Sequence, residues 1–258
     1  MDGTLFTDKL EILPKTLEAI RAWTATGGVF VPATGRPLAA MKRVLKYFPE
    51  DMIFILCDGA LVIRHISKKV LFSSNLKPNV AERICKMAEE KEIAYGLWYG
   101  DALYINKRTK IMDLYVNAVG GEAIILKKDE SLKLAKSGKI SKISWLDSAD
   151  KITLYQKELD FGDGILAHAS RPELLEFVDS KATKGAALEL TARTLDIKPE
   201  EIAAFGDYYN DISMFKYAGH SIAMEGAPDE VKAAANEIIG SNNQGAVGDW
   251  IINYLKNL

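Results

Sequence analysis

Cysteine is scarce in this chain. Cys57 and Cys85 are the two, and neither has a partner at Cys-x-x-Cys spacing. That argues against a zinc ribbon or a disulfide scaffold and predicts buried, reduced thiols. A surplus of either charge is also lacking: 33 basic residues against 35 acidic ones leave a formal charge of −2, so neither nucleic acid nor an anionic membrane is an expected partner. The local basic runs, 64–69 and Lys127-Lys128, read as solvated turns. No apolar run is long enough to span a bilayer. Asp2 and Asp8 interrupt any signal-peptide core, and the expected location is the cytoplasm. Repeats and low-complexity tracts are absent too. What is present is 258 residues with an ordinary 48% hydrophobic share, enough for one large domain or two small ones with substantial cores.

The chain changes style twice. At first, helical spacing at Leu17, Ile20 and Trp23 follows Pro14 and stops at Gly27-Gly28, which predicts a helix over 14–24. Val29-Phe30-Val31 and Ile53–Leu56 read as short buried strands, with a helix expected over 37–47 between them. Continuous apolar strands between helices indicate a parallel sheet covered on both faces. From about Asn75 half-buried strands appear (95–99, 103–106, 142–146, 164–169 and 174–178) among helices at 80–92, 110–119 and 149–159. This pattern predicts an antiparallel sheet with helices on one side. From Lys184 the first style returns, with strands at 202–205 and 221–224 and helices over 185–195, 211–217, 229–236 and 246–255. The expected fold class is α/β: a doubly wound, Rossmann-like parallel-sheet core with an inserted α+β domain. The core should comprise residues 1–77 and 182–258, and the insert residues 78–181.

In such sheets ligands bind at the carboxyl ends of the strands. Four predicted strand ends carry polar residues here: Asp2-Gly3-Thr4, Thr34-Gly35-Arg36, Asp58-Gly59 and Gly206-Asp207. Lys184 opens a predicted helix. Carboxylates, a hydroxyl, an ammonium and exposed amides together suit Mg²⁺ and a phosphate group. Singly each has a plainer reading. Asp-Gly is a common turn, Lys184 alone would be a surface lysine, and Asn210 alone would be a helix cap. The inference rests on their occurrence together and in order.

That ordered set, with Ala33-Thr34-Gly35-Arg36, Thr183-Lys184-Gly185, Gly206-Asp207-Tyr208-Tyr209-Asn210-Asp211 and a late Gln244-Gly245-Ala246-Val247, resembles the haloacid dehalogenase superfamily of phosphatases over nearly the whole chain. It is most similar to the Cof-type branch with the larger α/β cap. The resemblance implies a Mg²⁺-dependent phosphatase for a small phosphorylated metabolite, a sugar phosphate or similar ester, working through an aspartyl-phosphate. It implies Asp2 as general acid and base. Thr34 with the amides near Gly3 and Gly35 would hold phosphoryl oxygens, Lys184 would neutralise charge, and Asn210 would face the phosphate. The Asp2 carbonyl and Asp207 would be metal ligands, with Asp211 as ligand or support. The inserted domain would act as a cap choosing the leaving group, with Trp98, Tyr99, Tyr104 and Trp145 as candidate contacts.

Two departures accompany the resemblance. Cof-type proteins usually carry Asn-Gly where this chain has Asp58-Gly59. The nucleophilic Asp would stand one residue before Met1, at the end of a central strand. Lacking that strand, interior backbone groups would go unpaired at about 1–3 kcal/mol each, against a typical net stability of about 5–15 kcal/mol. An Asp preceded by a buried strand is therefore expected ahead of Met1. Two other readings are a catalytically inactive protein that binds a phosphometabolite or a protein partner, and a phosphomutase. The oligomeric state is not legible.

Overall fold

The computed structural model describes residues 1–42, 44–100, 102–120 and 122–257, with the side chain of residue 170 left aside. It divides into two compact units, one of Met1–Gly35, Arg43–Phe72 and Thr183–Leu258, the other of Arg36–Lys42 and Ser73–Ala182. In chain order the first unit supplies α1 (Pro14–Ala25), β1 (Ile53–Leu56), β2 (Leu61–Arg64) and β3 (Val70–Ser73). The second supplies α2 (Pro78–Glu90), β4 (Ala94–Tyr99), β5 (Ala102–Ile105), α3 (Lys110–Ala118), β6 (Ile124–Ile125), α4 (Lys128–Ala135), β7 (Ile140–Leu146), α5 (Ala149–Glu158), β8 (Ile165–Arg171) and β9 (Leu174–Asp179). The first unit then resumes with α6 (Lys184–Thr194), β10 (Ala203–Gly206), α7 (Ile212–Phe215), β11 (His220–Met224), α8 (Asp229–Ala233), β12 (Glu237–Ile239) and α9 (Ala246–Leu255). No described helix is long and apolar enough to cross a membrane.

The first unit holds two three-stranded sheets. β10, β11 and β12 are parallel throughout. β1 instead pairs antiparallel with β2, and β3 follows at the edge, a hairpin extension that the continuous apolar reading of 53–56 did not anticipate. The turn joining β2 to β3 carries the basic run, closed by Arg64 N–H to the Lys69 carbonyl at 2.9 Å.

The expected strand over 29–31 is a correction. Among the described residues 29–31 form no strand, and the chain just beyond them makes an isolated parallel bridge, Ala33 to Ile55. The expected helix over 37–47 is a second correction: two 3₁₀ turns, Leu38–Met41 and Leu45–Tyr47, replace it, and residue 43 lies outside the described residues. Two pieces of the first unit meet where α1 packs on α9. Gly248 allows that approach, since a Cβ there would lie 2.7 Å from the Thr16 Cα.

In the second unit, six strands run in the order β6-β5-β4-β7-β9-β8, antiparallel except for β5 with β6. Alternation along β4 sends Tyr95 and Leu97 into a core with α2, α4 and α5. Ala94 and Trp98 go to a second core with α3 on the other face. Helices thus cover both faces rather than one, and β7 is buried at every position. Trp98 and Trp145 are fully buried, and Trp98 donates from Nε1 to the Tyr115 hydroxyl at 2.9 Å, so these two are core residues rather than substrate contacts. Tyr99 and Tyr104 meet edge to face and pack against the first of those cores. A buried ion pair, Lys142 Nζ to Glu176 Oε1 at 2.8 Å, joins β7 to β9.

Candidate active site

Each predicted polar strand end of the first unit is held by a local device. Thr183 caps α6, its hydroxyl accepting the Ala186 N–H at 3.1 Å, and this sets Lys184 on the first turn. Gly185 lets that turn lie against the Ser213 carbonyl, where a Cβ would collide, and its N–H donates to Ser213 Oγ at 3.0 Å. Lys184 is buried, yet its ammonium donates to Asp211 Oδ1 at 2.7 Å. Burial disfavours that charge, but Asp211, then Asp58 and Asp207, outweigh it and hold the lysine above its ordinary range.

Asp211 locks the loop after β10. Its Oδ2 accepts the N–H groups of Asp207 at 3.0 Å and Tyr208 at 3.1 Å. Burial alone would raise its carboxyl, but Lys184, the Met1 ammonium and these hydrogen bonds bring it below the usual range. Both of its oxygens are committed, so Asp211 shapes the loop and anchors Lys184. Asp207 accepts the Thr4 hydroxyl on Oδ1. Burial, with Asp211 adding to it, pushes the Asp207 carboxyl up against the opposing Thr4 bond, Met1 ammonium and Lys184. Gly3 adopts φ +68°, and a Cβ there would run into the Asp207 carboxylate.

The remaining groups close the circle. The Thr34 N–H donates to the Ile55 carbonyl at 2.9 Å, and its own carbonyl accepts the Asp58 N–H at 3.2 Å. A Cβ on Gly35 would come within 2.8 Å of Asp58 Oδ1. Asp58 therefore turns inward, and the same Oδ1 accepts the Asn210 amide at 2.8 Å. The Met1 N–H donates to the Ala33 carbonyl at 3.4 Å. Asp2 is half-buried.

The structure thus brings Asp2, Gly3, Thr34, Gly35, Lys184, Asp207, Asn210 and Asp211 into one neighbourhood of the first unit. Sequence reasoning did not anticipate the bond of the Thr4 hydroxyl to Asp207 or the part of Ser213. Thr4 was legible as the third residue of Asp-Gly-Thr, but the hydroxyl's partner lies 203 positions away. Four carboxylates, Asp2, Asp58, Asp207 and Asp211, share the site with one buried lysine. A phosphate dianion would enter against that excess unless a further cation joined it. The carboxylates are hard oxygen donors of the kind Mg²⁺ takes, and Asp207 has an oxygen beyond the one that binds Thr4.

The haloacid dehalogenase-like hydrolase family matches residues 1–251. The chain is 27% identical over 267 residues to the pyridoxal phosphate phosphatase YbhA of Escherichia coli, covering 99% of this chain and 96% of that one. The crystal structure of TM0651 from Thermotoga maritima superposes with a TM-score of 0.87 at 28% identity, over 98% of this chain and 94% of that one. The subclass IIB sugar phosphatase BT4131 shares the fold, with a TM-score of 0.81 at 20% identity over 98% and 96%. The chain belongs to the haloacid dehalogenase-like hydrolase family, as a phosphomonoester hydrolase of the Cof type.

Proposed function

We propose that the chain hydrolyses a small phosphorylated metabolite, a sugar phosphate or a similar phosphomonoester, in the cytoplasm and with Mg²⁺. The observation that carries this reading is the buried Lys184–Asp211 pair beside Asp207, where a fixed positive charge adjoins hard carboxylate oxygens. The activities of two proteins similar to this one, a pyridoxal phosphate phosphatase and a sugar phosphatase, support the small phosphorylated substrate. In this reading the inserted unit serves as the cap that selects the leaving group.

The proposed roles follow from placement. Lys184 offsets charge on the phosphoryl group, in a site where burial strengthens that interaction. Thr34 and the amides at Gly3 and Gly35 bind its oxygens. Asp2 gives a proton to the departing alkoxide and later takes one from water. Asn210, drawn to Asp58, presents its amide from the opposite strand end. Asp207 and the Asp2 carbonyl would hold Mg²⁺, with Asp211 keeping the loop in shape. When bound, the ion screens the repulsion between phosphate and carboxylates. None of these roles is the nucleophile's, which the family pattern puts one position ahead of Met1.

A panel of phosphate esters tests the proposal: hexose phosphates, pyridoxal 5′-phosphate and nucleoside monophosphates, assayed for inorganic phosphate in Mg²⁺ and in EDTA. Release from small esters in Mg²⁺ and its loss in EDTA are expected. No release from any ester, even from a chain carrying an aspartate ahead of Met1, would overturn it.

A further inference from the structure

The two edges of the six-stranded sheet in the second unit differ. β8 is blunted: its register shifts between Ala169 and Arg171, and the exposed Arg171 sets a charge on the edge. β6 has neither device. Residues 123–126 read Ala-Ile-Ile-Leu, with no charge and no proline, and Ile124 and Ile125 are 50% and 57% exposed. Among the described residues no strand pairs with the outer side of β6.

Backbone bonds say which groups that edge offers. The Leu126 N–H donates to the Ile105 carbonyl at 2.9 Å. In the parallel ladder with β5 this turns the backbone groups of Ile124 and Leu126 towards β5. By alternation those of Ala123 and Ile125 point outward. The row stops at Lys127, whose N–H donates to Glu130 Oε2 at 2.8 Å and whose carbonyl accepts the Ser131 N–H at 2.9 Å. Such a pair of outward residues is self-complementary. When two copies meet antiparallel about a two-fold axis, Ala123 of one lies opposite Ile125 of the other, and each pair exchanges two N–H···O bonds. Every outward group is then used, and Ile124 faces its own copy across the axis. Centring on Ile125 would instead set Ala123 against Lys127, whose groups are taken. In the first register Glu122 lies diagonal to Lys128 of the other copy, within reach of these long side chains. The ion pair that Glu122 makes with Lys42, at 3.4 Å, is exposed at both ends and competes weakly.

We propose that β6 is a homodimer interface. A second copy of this chain binds it antiparallel, with the two-fold axis at Ile124, and the two six-stranded sheets run on into one. Backbone bonds at Ala123 and Ile125 fix the register, and the exposed isoleucines are covered. The strand is short, so the contact is smaller than a standard interface and association is weak, with a Kd of about 10–100 µM.

Sedimentation velocity of the full chain, from about 5 µM to about 500 µM, should show a monomer passing to a dimer. Ile125→Pro removes an outward N–H while leaving the bonds to β5 in place, and should raise the Kd about tenfold or more. Ile124→Cys sets two thiols opposite each other across the axis, at a spacing a disulfide can bridge. Copper-phenanthroline oxidation should therefore link it into a covalent dimer. Ile125→Cys, whose own copy lies on the diagonal, should link about tenfold more slowly or less. The native Cys57 and Cys85 are buried and do not compete. A monomer at every concentration would overturn the proposal. So would a dimer that Ile125→Pro leaves intact, or equal linking of the two cysteine variants. The cysteine comparison stands even if Ile125→Pro does not fold. Association is read without turnover, and its outcome is independent of the ester panel.

Discussion

The Lys184 ammonium and the Asp211 carboxylate lie 2.7 Å apart, with side-chain exposures of 4% and 3%. At that burial neither charge is tolerable without the other. Asp211→Ala leaves a buried ammonium facing only Asp58 and Asp207, and should cost about 3–5 kcal/mol. Adding Lys184→Met should return most of that stability while phosphatase activity stays lost. Urea denaturation of the two variants checks this. A double variant no more stable than Asp211→Ala would refute the pairing.

Gly3 should be intolerant of any side chain. Its φ of +68° suits glycine, and a Cβ would push the Asp207 carboxylate aside. Gly3→Ala is expected to lower kcat about 100-fold through misplacement of that carboxylate, with an unchanged circular dichroism spectrum. Activity within twofold of the parent would show that Asp207 is free to adjust.

Asp58 is the buried carboxylate of the Asp58-Gly59 turn. Its charge helps keep Lys184 protonated and its Oδ1 holds Asn210. Asp58→Asn removes an anion from the phosphate side of the site. Inorganic phosphate should then inhibit about three- to tenfold more tightly, by relief of like-charge repulsion. An unchanged inhibition constant would show that Asp58 does not act on the anion.

Tyr115 gives the second unit a dependence on alkaline pH. Its phenol is pushed up to about 12, by burial first and by Glu176 second. In the unfolded chain the group ionises near its ordinary value of 10.0. Above that pH the unfolded state sheds a proton that the fold retains. Stability is therefore fully present below pH 10 and declines as pH rises towards about 12. Tyr115→Phe should flatten that decline, and should also cost about 1–2 kcal/mol at pH 8 because Trp98 Nε1 and Ser144 Oγ lose their shared partner. Denaturation curves at pH 9 and 11 decide it: equal slopes for parent and variant would contradict the assignment.

Much of this was readable from local patterns. Strand ends at Thr34, Asp58 and Asp207 and the helix start at Lys184 were marked by polar residues following apolar runs, and the inserted sheet by alternation. What escaped depended on partners distant in sequence. Val29–Val31 has strand composition, yet among the described residues it forms no strand, because ladder pairing belongs to two segments at once. Lys127-Lys128 looked like a turn, but the Glu130 carboxylate accepts the Lys127 N–H at 2.8 Å and starts α4 there. The hairpin of β1 with β2 escaped because the apolar run 53–56 read as a parallel strand, although Asp58-Gly59 after it is a turn pair.

That turn has a wider consequence. Cys57, Asp58 and Gly59 adopt φ of 51°, 56° and 98° in succession, and the two that carry side chains cost about 1–3 kcal/mol each. A Cβ on Gly59 would strike the Thr183 carbonyl, so the turn is wedged against the residue that caps the lysine helix. Glycine at position 57 would relieve part of that cost, and it would also loosen the carboxylate next door. Selection for thermal robustness and selection for catalysis therefore pull on this one residue in opposite directions.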